Sequence, residues 1–437
     1  MSEPFNLSGP RGDTESPEDF SLRGQYLLSK GEFEEAVSIL QDAAELLPND
    51  RRTQLAFAGI LTKLKHSKAA RDSYRAFVER NPLGIAPKGR HEKDPLLLVV
   101  RGFDKTRPTI GLRTSGEYKP KLRGGHYTIQ YLLPRNAVPR QTFTIPGQLG
   151  INDALLPDFD VMLNTIAEPD IEGASLTSLQ SYLDQNPETS VINKPEPVWQ
   201  TARDRNYERL NGLADFTFPK TVRFRVKNAG PGEFAQQLNK LDMGAPVILR
   251  RVGTQTGRTT QLITGGHDLM NYARKPLSGE FYAISYREIL WQGEYFRKLR
   301  LFCIDGEYYP VVCHLDKIWN VHGGNRKEIM RNDESLQAQE KAFLANWKDY
   351  VGQGNADILY KIAEATNLEF FGIDFTVDNE GKIFIYELNP SMRHSFDHAK
   401  NFPYKMPYDQ ATSDAFEKMV LDRVKTAYKS RRDLNAG

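Results

Sequence analysis

The chain has 437 residues, with 58 Lys and Arg against 56 Asp and Glu. Its net charge of +2 carries no global bias and argues against a nucleic-acid binder held by backbone neutralisation. At about 150 residues per domain, the length predicts about three domains and leaves ample material for a core. No apolar run approaches the roughly 18 residues of a membrane span, and residues 1–20 lack the basic and apolar regions of a signal peptide. No membrane partner and a cytoplasmic location are expected.

Residues 1–20 read as a flexible tail. Over 21–90 an internal repeat comes next: Ala36, Leu40 and Pro48 recur as Ala70, Tyr74 and Pro82, each 34 positions later. With Gly31, Phe33 and Ala43 these residues sit at helix-turn-helix spacing and resemble a tetratricopeptide pair. In the second copy Lys65 replaces the glycine and Phe77 the small alanine. Two repeats leave an unfinished solenoid face, because each unit buries its apolar side only against neighbours. Three covers stay open: docking on the larger domain, self-association into a homodimer, or a peptide or protein substrate.

The Pro- and Gly-rich run 81–95 marks a boundary. Over 91–195, strands are expected at PLLLVVRGF, HYTIQYLLP, FTIP and DVMLNTIA, with a helix near 175–184, giving a small α/β domain. Strand VILR and returning strand TTQLI bracket a turn bounded by Gly253 and Gly257. Such glycines let backbone N–H groups approach phosphate oxygens, and a strand rather than a helix comes after the turn, so a flap over phosphates fits better than a P-loop. RLFCIDGEYYPVVCHL reads as a hairpin that pairs Cys303 with Tyr308 across Asp305-Gly306. That register leaves Cys313 well down the opposite strand, so neither a disulfide nor a zinc site is expected, and the cysteine usage suits a reducing compartment.

The most informative run is GIDFTVDNEGKIFIYELNP, residues 372–390. Alternating apolar residues around a polar turn predict a hairpin. Pairing Asp378 with Ile383 sets Asp374 across from Glu387 with β-carbons about 5 Å apart, and Asn389 shares the face of Glu387. Two like charges at about 5 Å repel by roughly 3 kcal/mol at an effective dielectric near 20, so a counter-charge is expected. Oxygen-only donors suit Mg²⁺ or Mn²⁺. The plain alternative is a solvated hairpin with charges on its wet face.

The GxDF…G.I.I.ELNP hairpin, with the motifs preceding it in order from about 95 to 400, resembles the ATP-grasp superfamily, which includes D-Ala:D-Ala ligases, glutathione synthetases and ribosomal-protein glutamate ligases. The resemblance implies an α/β fold: a pre-ATP-grasp domain over 91–195, an ATP-grasp domain of two subdomains over 196–415, and a C-terminal helix and tail over 416–437. It implies ATP as cofactor, held by Arg205, Arg250, Gly253, Thr254, Gln255, Thr256, Gly257, Ser285, Tyr286, Glu288 and Asn320. Arginine stands at Arg205 and Arg250 where many relatives carry lysine. Arg300 would face the transferred phosphate, with Lys298 replacing an acid, and Arg393 the acceptor; the metal would sit at Asp374, Glu387 and Asn389. Asn320 and His322 either touch a ligand or form a plain turn.

The implied activity joins a substrate carboxylate to an amine through an acylphosphate, releasing ADP and phosphate. A kinase that stops at phosphate transfer, and an interaction protein whose grasp domain has lost its chemistry, are the alternatives.

Overall fold

In a computed structural model, residues 15–91, 94–113, 115–254, 259–321 and 324–436 are described. Four helices come first: α1 Pro17–Lys30, α2 Phe33–Leu46, α3 Arg51–Lys63 and α4 Ser67–Arg80. The Ser16 side chain caps α1 by accepting the Asp19 N–H, and Asp50 caps α3 through Thr53. Gly31, at φ +89°, closes α1 in a conformation that glycine adopts without steric cost. The four helices fit the repeat read from the sequence. α1, however, starts inside the expected tail, because Phe20 is buried in the helical core with Leu27, Leu40 and Ile60.

Strand β1 Leu97–Gly102 leads into a hairpin that had no counterpart among the expected elements, β2 Arg107–Leu112 with β3 Tyr118–Arg123. It covers the open side of the helices. Ile110 and Tyr118 pack on the α1–α3 core, Tyr118 edge-on to Phe33 at 4.9 Å, and Leu122 joins Tyr74, Phe77 and Phe103. Of the three covers for the unfinished solenoid face, docking within the chain is present.

β1 then pairs in parallel with β4 Arg140–Ile145 and β5 Val161–Asn164. After helix α5 Pro169–Gln185 comes the short β6 Val191–Ile192, completing a sheet of order β4-β1-β5-β6. The run HYTIQYLLP, expected as a strand, is irregular. Tyr127, Ile129, Leu132 and Leu133 are buried, but turns centred on the Ile129 carbonyl satisfy the backbone in place of a ladder. Its alternation records burial beneath other elements rather than strand pairing.

Helices α6 Pro195–Trp199 and α7 Arg203–Leu210 lead to β7 Thr221–Ala229, α8 Pro231–Lys240, β8 Val247–Arg251, β9 Gln261–Ile263, α9 Gly266–Tyr272 and β10 Leu277–Ser285. Their strands form an antiparallel sheet of order β7-β10-β8-β9 around Phe224, Phe234 and Phe281.

A second antiparallel sheet contains β11 Leu290–Trp291, β12 Tyr295–Ile304 and β13 Glu307–Asp316. Cys303 pairs with Tyr308 as read from the Asp305-Gly306 turn, and both cysteines are buried thiols. Helices α10 Arg326–Met330, α11 Glu334–Ala345, α12 Trp347–Val351 and α13 Gln353–Thr366 come next, then β14 Phe370–Val377 and β15 Ile383–Asn389. Helix α14 Met406–Ala436 starts ten residues before the expected boundary at 416, with Phe416 and Val420 under the irregular 126–134 run. No described helix is long and apolar enough to cross a membrane.

Candidate active site

Asp374 stands opposite Glu387, but not through a continuous register. Near the turn Val377 pairs with Ile383, one step from the expected Asp378–Ile383 match; a bulge at Tyr386 restores the alignment. Arg300 of β12 is the next residue across, so Arg300, Asp374 and Glu387 form one row over three strands.

The counter-charges come from the protein. Arg300 holds Asp374 by two parallel hydrogen bonds, Nε–Oδ1 at 2.6 Å and a second nitrogen to Oδ2 at 2.8 Å, and Lys298 Nζ lies 3.3 Å from Oδ2. Burial would raise the Asp374 pKa, but Arg300 and Lys298 outweigh it and hold it at about 2. Glu387 accepts from Arg203 at 2.5 Å and from the Asn389 amide at 2.7 Å. Against the cost of burial, Arg203 and then Arg250 keep its pKa below the usual value. Asn389 Oδ1 accepts the Ser391 N–H, and the Ser391 hydroxyl donates to Glu168 at 2.6 Å. Burial raises the Glu168 pKa despite that bond and the nearby Arg203 and Arg250.

Arg250 comes from the other sheet. There Arg250, Tyr282 and Arg223 stand side by side across β8, β10 and β7. Arg223 is fully engaged, holding Asp204 at 2.8 Å and Asp170 at 2.7 Å, while Tyr282 donates to Asp170. Arg250 donates to the Thr254 carbonyl and forms no ion pair among the described residues. Burial, reinforced by the like charge of Arg203, pulls its pKa down to about 10. Four cations, Arg203, Arg250, Lys298 and Arg300, therefore meet Asp374, Glu387 and a Glu168 that burial drives toward its neutral form.

The other sequence-derived positions divide. Gly253, at φ +70°, lies against the Asp170 carbonyl, and the Thr254 hydroxyl bonds the Arg251 carbonyl at 2.6 Å. Gln255, Thr256 and Gly257, like His322, lie outside the described residues. Ser285 ends β10, Tyr286 packs edge-on to Trp319 at 6.1 Å, and Asn320 is half-buried beside Val321, whose carbonyl accepts from Lys298 at 2.8 Å. Glu288 is exposed.

Two arginines point elsewhere. Arg205 lies over the Trp199 ring at 4.7 Å and bonds its carbonyl, because Arg203 is the residue of α7 that faces Glu387. Arg393 is exposed and pairs with Asp397 at 2.6 Å. Arg203, Glu168 and the Arg223–Tyr282–Asp170–Asp204 network escaped sequence reading. The one available signal was the two-residue spacing of Arg203 and Arg205 at the start of a helix.

Asp374, Glu387 and Asn389 converge, but as arranged they do not fit a divalent cation. Both Asp374 oxygens carry Arg300, Glu387 Oε1 carries Arg203 and the Asn389 amide, and the Asn389 oxygen faces the Ser391 N–H. Among the described residues no group of three acidic, His or Cys side chains could hold a metal. An ion at Asp374 would require Arg300 and Lys298 to leave it.

No family model and no curated protein matches the chain. Among solved structures, it is similar to a D-alanine–D-alanine ligase from Bacillus anthracis at 10% identity and TM-score 0.43, covering 77% of this chain and 99% of that one. A RimK domain ATP-grasp protein from Sphaerobacter thermophilus aligns at 13% identity and TM-score 0.41, covering 74% and 99%. An N5-carboxyaminoimidazole ribonucleotide synthetase from Thermotoga maritima aligns at 13% and 0.37, covering 73% and 75%. Scores in this range carry no argument of their own, and the side chains carry the functional reading.

Proposed function

We propose that the chain is an ATP-grasp enzyme in which ATP activates a substrate carboxylate for attack by an amine. The observation that carries this reading is the meeting of cations from two facing sheets: Arg250 on the flap side, Arg300 and Lys298 on the hairpin side, and Arg203 between them. Arg250 has no acid partner among the described residues and is held in a low-dielectric site where a phosphate would stabilise its charge. Bound there, ATP would lie between the two sheets with its phosphates under the Gly253 turn.

The chemistry asks mainly for positioning and for neutralisation of oxygens. A carboxylate oxygen attacks the γ-phosphorus, the bond to the bridging oxygen breaks, and ADP leaves. An amine then attacks the acyl carbon, phosphate leaves, and the amine loses a proton as the amide forms. Arg300 and Arg250 are proposed to hold the transferred group, and Arg203 to sit between it and Glu387. A magnesium or manganese ion at Asp374, Glu387 and Asn389 is proposed only for a site in which Arg300 and Lys298 have moved to the phosphates.

The test is hydroxylamine trapping with ATP and a panel of amino acids and short peptides. Equal amounts of ADP and hydroxamate are expected. A stable phosphoester in place of hydroxamate would overturn ligation in favour of a kinase.

A further inference from the structure

The β2–β3 hairpin has two unlike faces. Strand alternation sends Pro108, Ile110, Tyr118, Pro120 and Leu122 toward the helices and puts Arg107, Lys119, Lys121 and Arg123 on the other side. All four cations are exposed, and no ion pair reaches any of them among the described residues. Arg107 stands directly across from Arg123, an arrangement in which like charges destabilise the pair. Lys119 lies across Gly111, and the Lys121 side chain reaches diagonally over the same glycine, whose missing side chain leaves it room. In a chain whose net charge is only +2, this concentration is local.

Both ends of the hairpin are fixed to the site wall. On entry, Lys105 donates to the Asp170 carbonyl at 2.7 Å and Thr106 to Glu172 at 2.5 Å. On exit, the Gly125 carbonyl accepts the N–H groups of Ala167 and Glu168. Asp170 holds Arg223, and Glu168 holds Ser391 beside Asn389 and Glu387. The basic face thus begins at the site and runs outward along β3, held from behind by the helical module.

We infer that this face docks an extended acidic peptide whose reactive group enters the site between Glu168 and Gly253. Arg123, Lys121 and Lys119 recur every second residue, about 6.7 Å apart. That is the spacing of alternate side chains in an extended peptide, so an acid at every second position meets one cation each. A nucleic acid fits less well, because the hairpin's one aromatic ring, Tyr118, is turned to Phe33 and no ring interleaves the cations for base stacking. The inference deepens the proposed ligase reading by giving its substrate class, and it rests on that reading for the chemistry of the docked peptide.

Fluorescence anisotropy on the full chain tests it, with a labelled peptide of about ten alternating Glu and Ser residues. A Lys-Ser peptide and a single-stranded oligonucleotide of equal charge serve as competing probes. The acidic peptide should bind, and Lys119→Gln with Lys121→Gln should weaken it about tenfold, the sum of two modest exposed ion pairs. Thermal unfolding of the variant shows whether the hairpin is still folded, and reversal to Glu at both positions should transfer binding to the Lys-Ser peptide. Failure of the acidic peptide to bind, an unchanged affinity in the variant, or tighter binding of the oligonucleotide with the same loss each overturns the inference. A parallel titration of the native protein with ADP separates the two ideas: nucleotide binding without peptide binding sinks only the docking face.

Discussion

Two charge clusters in the molecule use similar residues to opposite ends. Between α11, β13 and the start of α14, Glu340 accepts from Arg326, from Tyr404 at 2.7 Å and from the Cys313 N–H at 3.1 Å. Lys405 approaches it at 3.9 Å and Asp409 at 3.6 Å, and all four charged side chains are at most 1% exposed. At the candidate site the partners are between 16% and 30% exposed apart from Asp374, and one cation, Arg250, has no acid among the described residues. A closed cluster with matched charges fixes a fold; a half-open cluster with a surplus cation is prepared for an anion from outside.

The comparison predicts different costs. Glu340→Ala strands Arg326 in the core, while Lys405 keeps Asp409, and should lower stability by about 3–5 kcal/mol, measured by denaturant unfolding. A loss below about 1 kcal/mol would show that the core cluster is no more structural than an exposed pair.

Glu172 sharpens the contrast, because it is a buried acid held by the Thr106 hydroxyl and the Asp104 N–H rather than by a cation. Burial raises its pKa from 4.5 to about 7. Between these values the folded state holds a proton that the unfolded state has released, so this group's contribution to stability falls as pH rises through the window. Unfolding midpoints of Glu172→Gln should decline less between pH 5 and 7 than those of the native protein. An identical decline would remove Glu172 as its source.

The smallest expected stability change is at Arg250. Replacing it with Ala removes a half-buried charge without an acid partner among the described residues, so unfolding should shift by less than about 1 kcal/mol or move toward greater stability. A loss comparable to that of Glu340→Ala would place Arg250 with the structural cluster.

Legibility in the sequence followed the range of the interactions. The 372–390 hairpin and the Cys303–Tyr308 register depend on turn chemistry and alternation, which neighbouring residues carry. The Asp374–Glu387 match was reached through a register that failed near the turn, and only the Tyr386 bulge made the two routes meet. The counter-charge was legible as a need but not as an identity, since Arg203 and Glu387 are 184 positions apart. Arg205 was read from the position where many relatives carry lysine, and the helix phase that turns Arg203 toward the hairpin is not carried by that match. Residues 126–134 were misread since buried irregular chain and strand share the same apolar alternation. The β2–β3 hairpin carried a readable pattern on both sides of its turn, and its meaning depended on the helices it covers.

The central claim is that the surplus cation serves nucleotide phosphates. Calorimetric titration of the native protein and Arg250→Ala with a non-hydrolysable ATP analogue tests it most directly. Loss of one charged hydrogen bond, about 1.5–3 kcal/mol, predicts binding by the native protein and an affinity lower by about ten- to a hundredfold in a variant that unfolds at the same midpoint. Equal affinity in the two proteins, or no binding by folded native protein, would contradict the account.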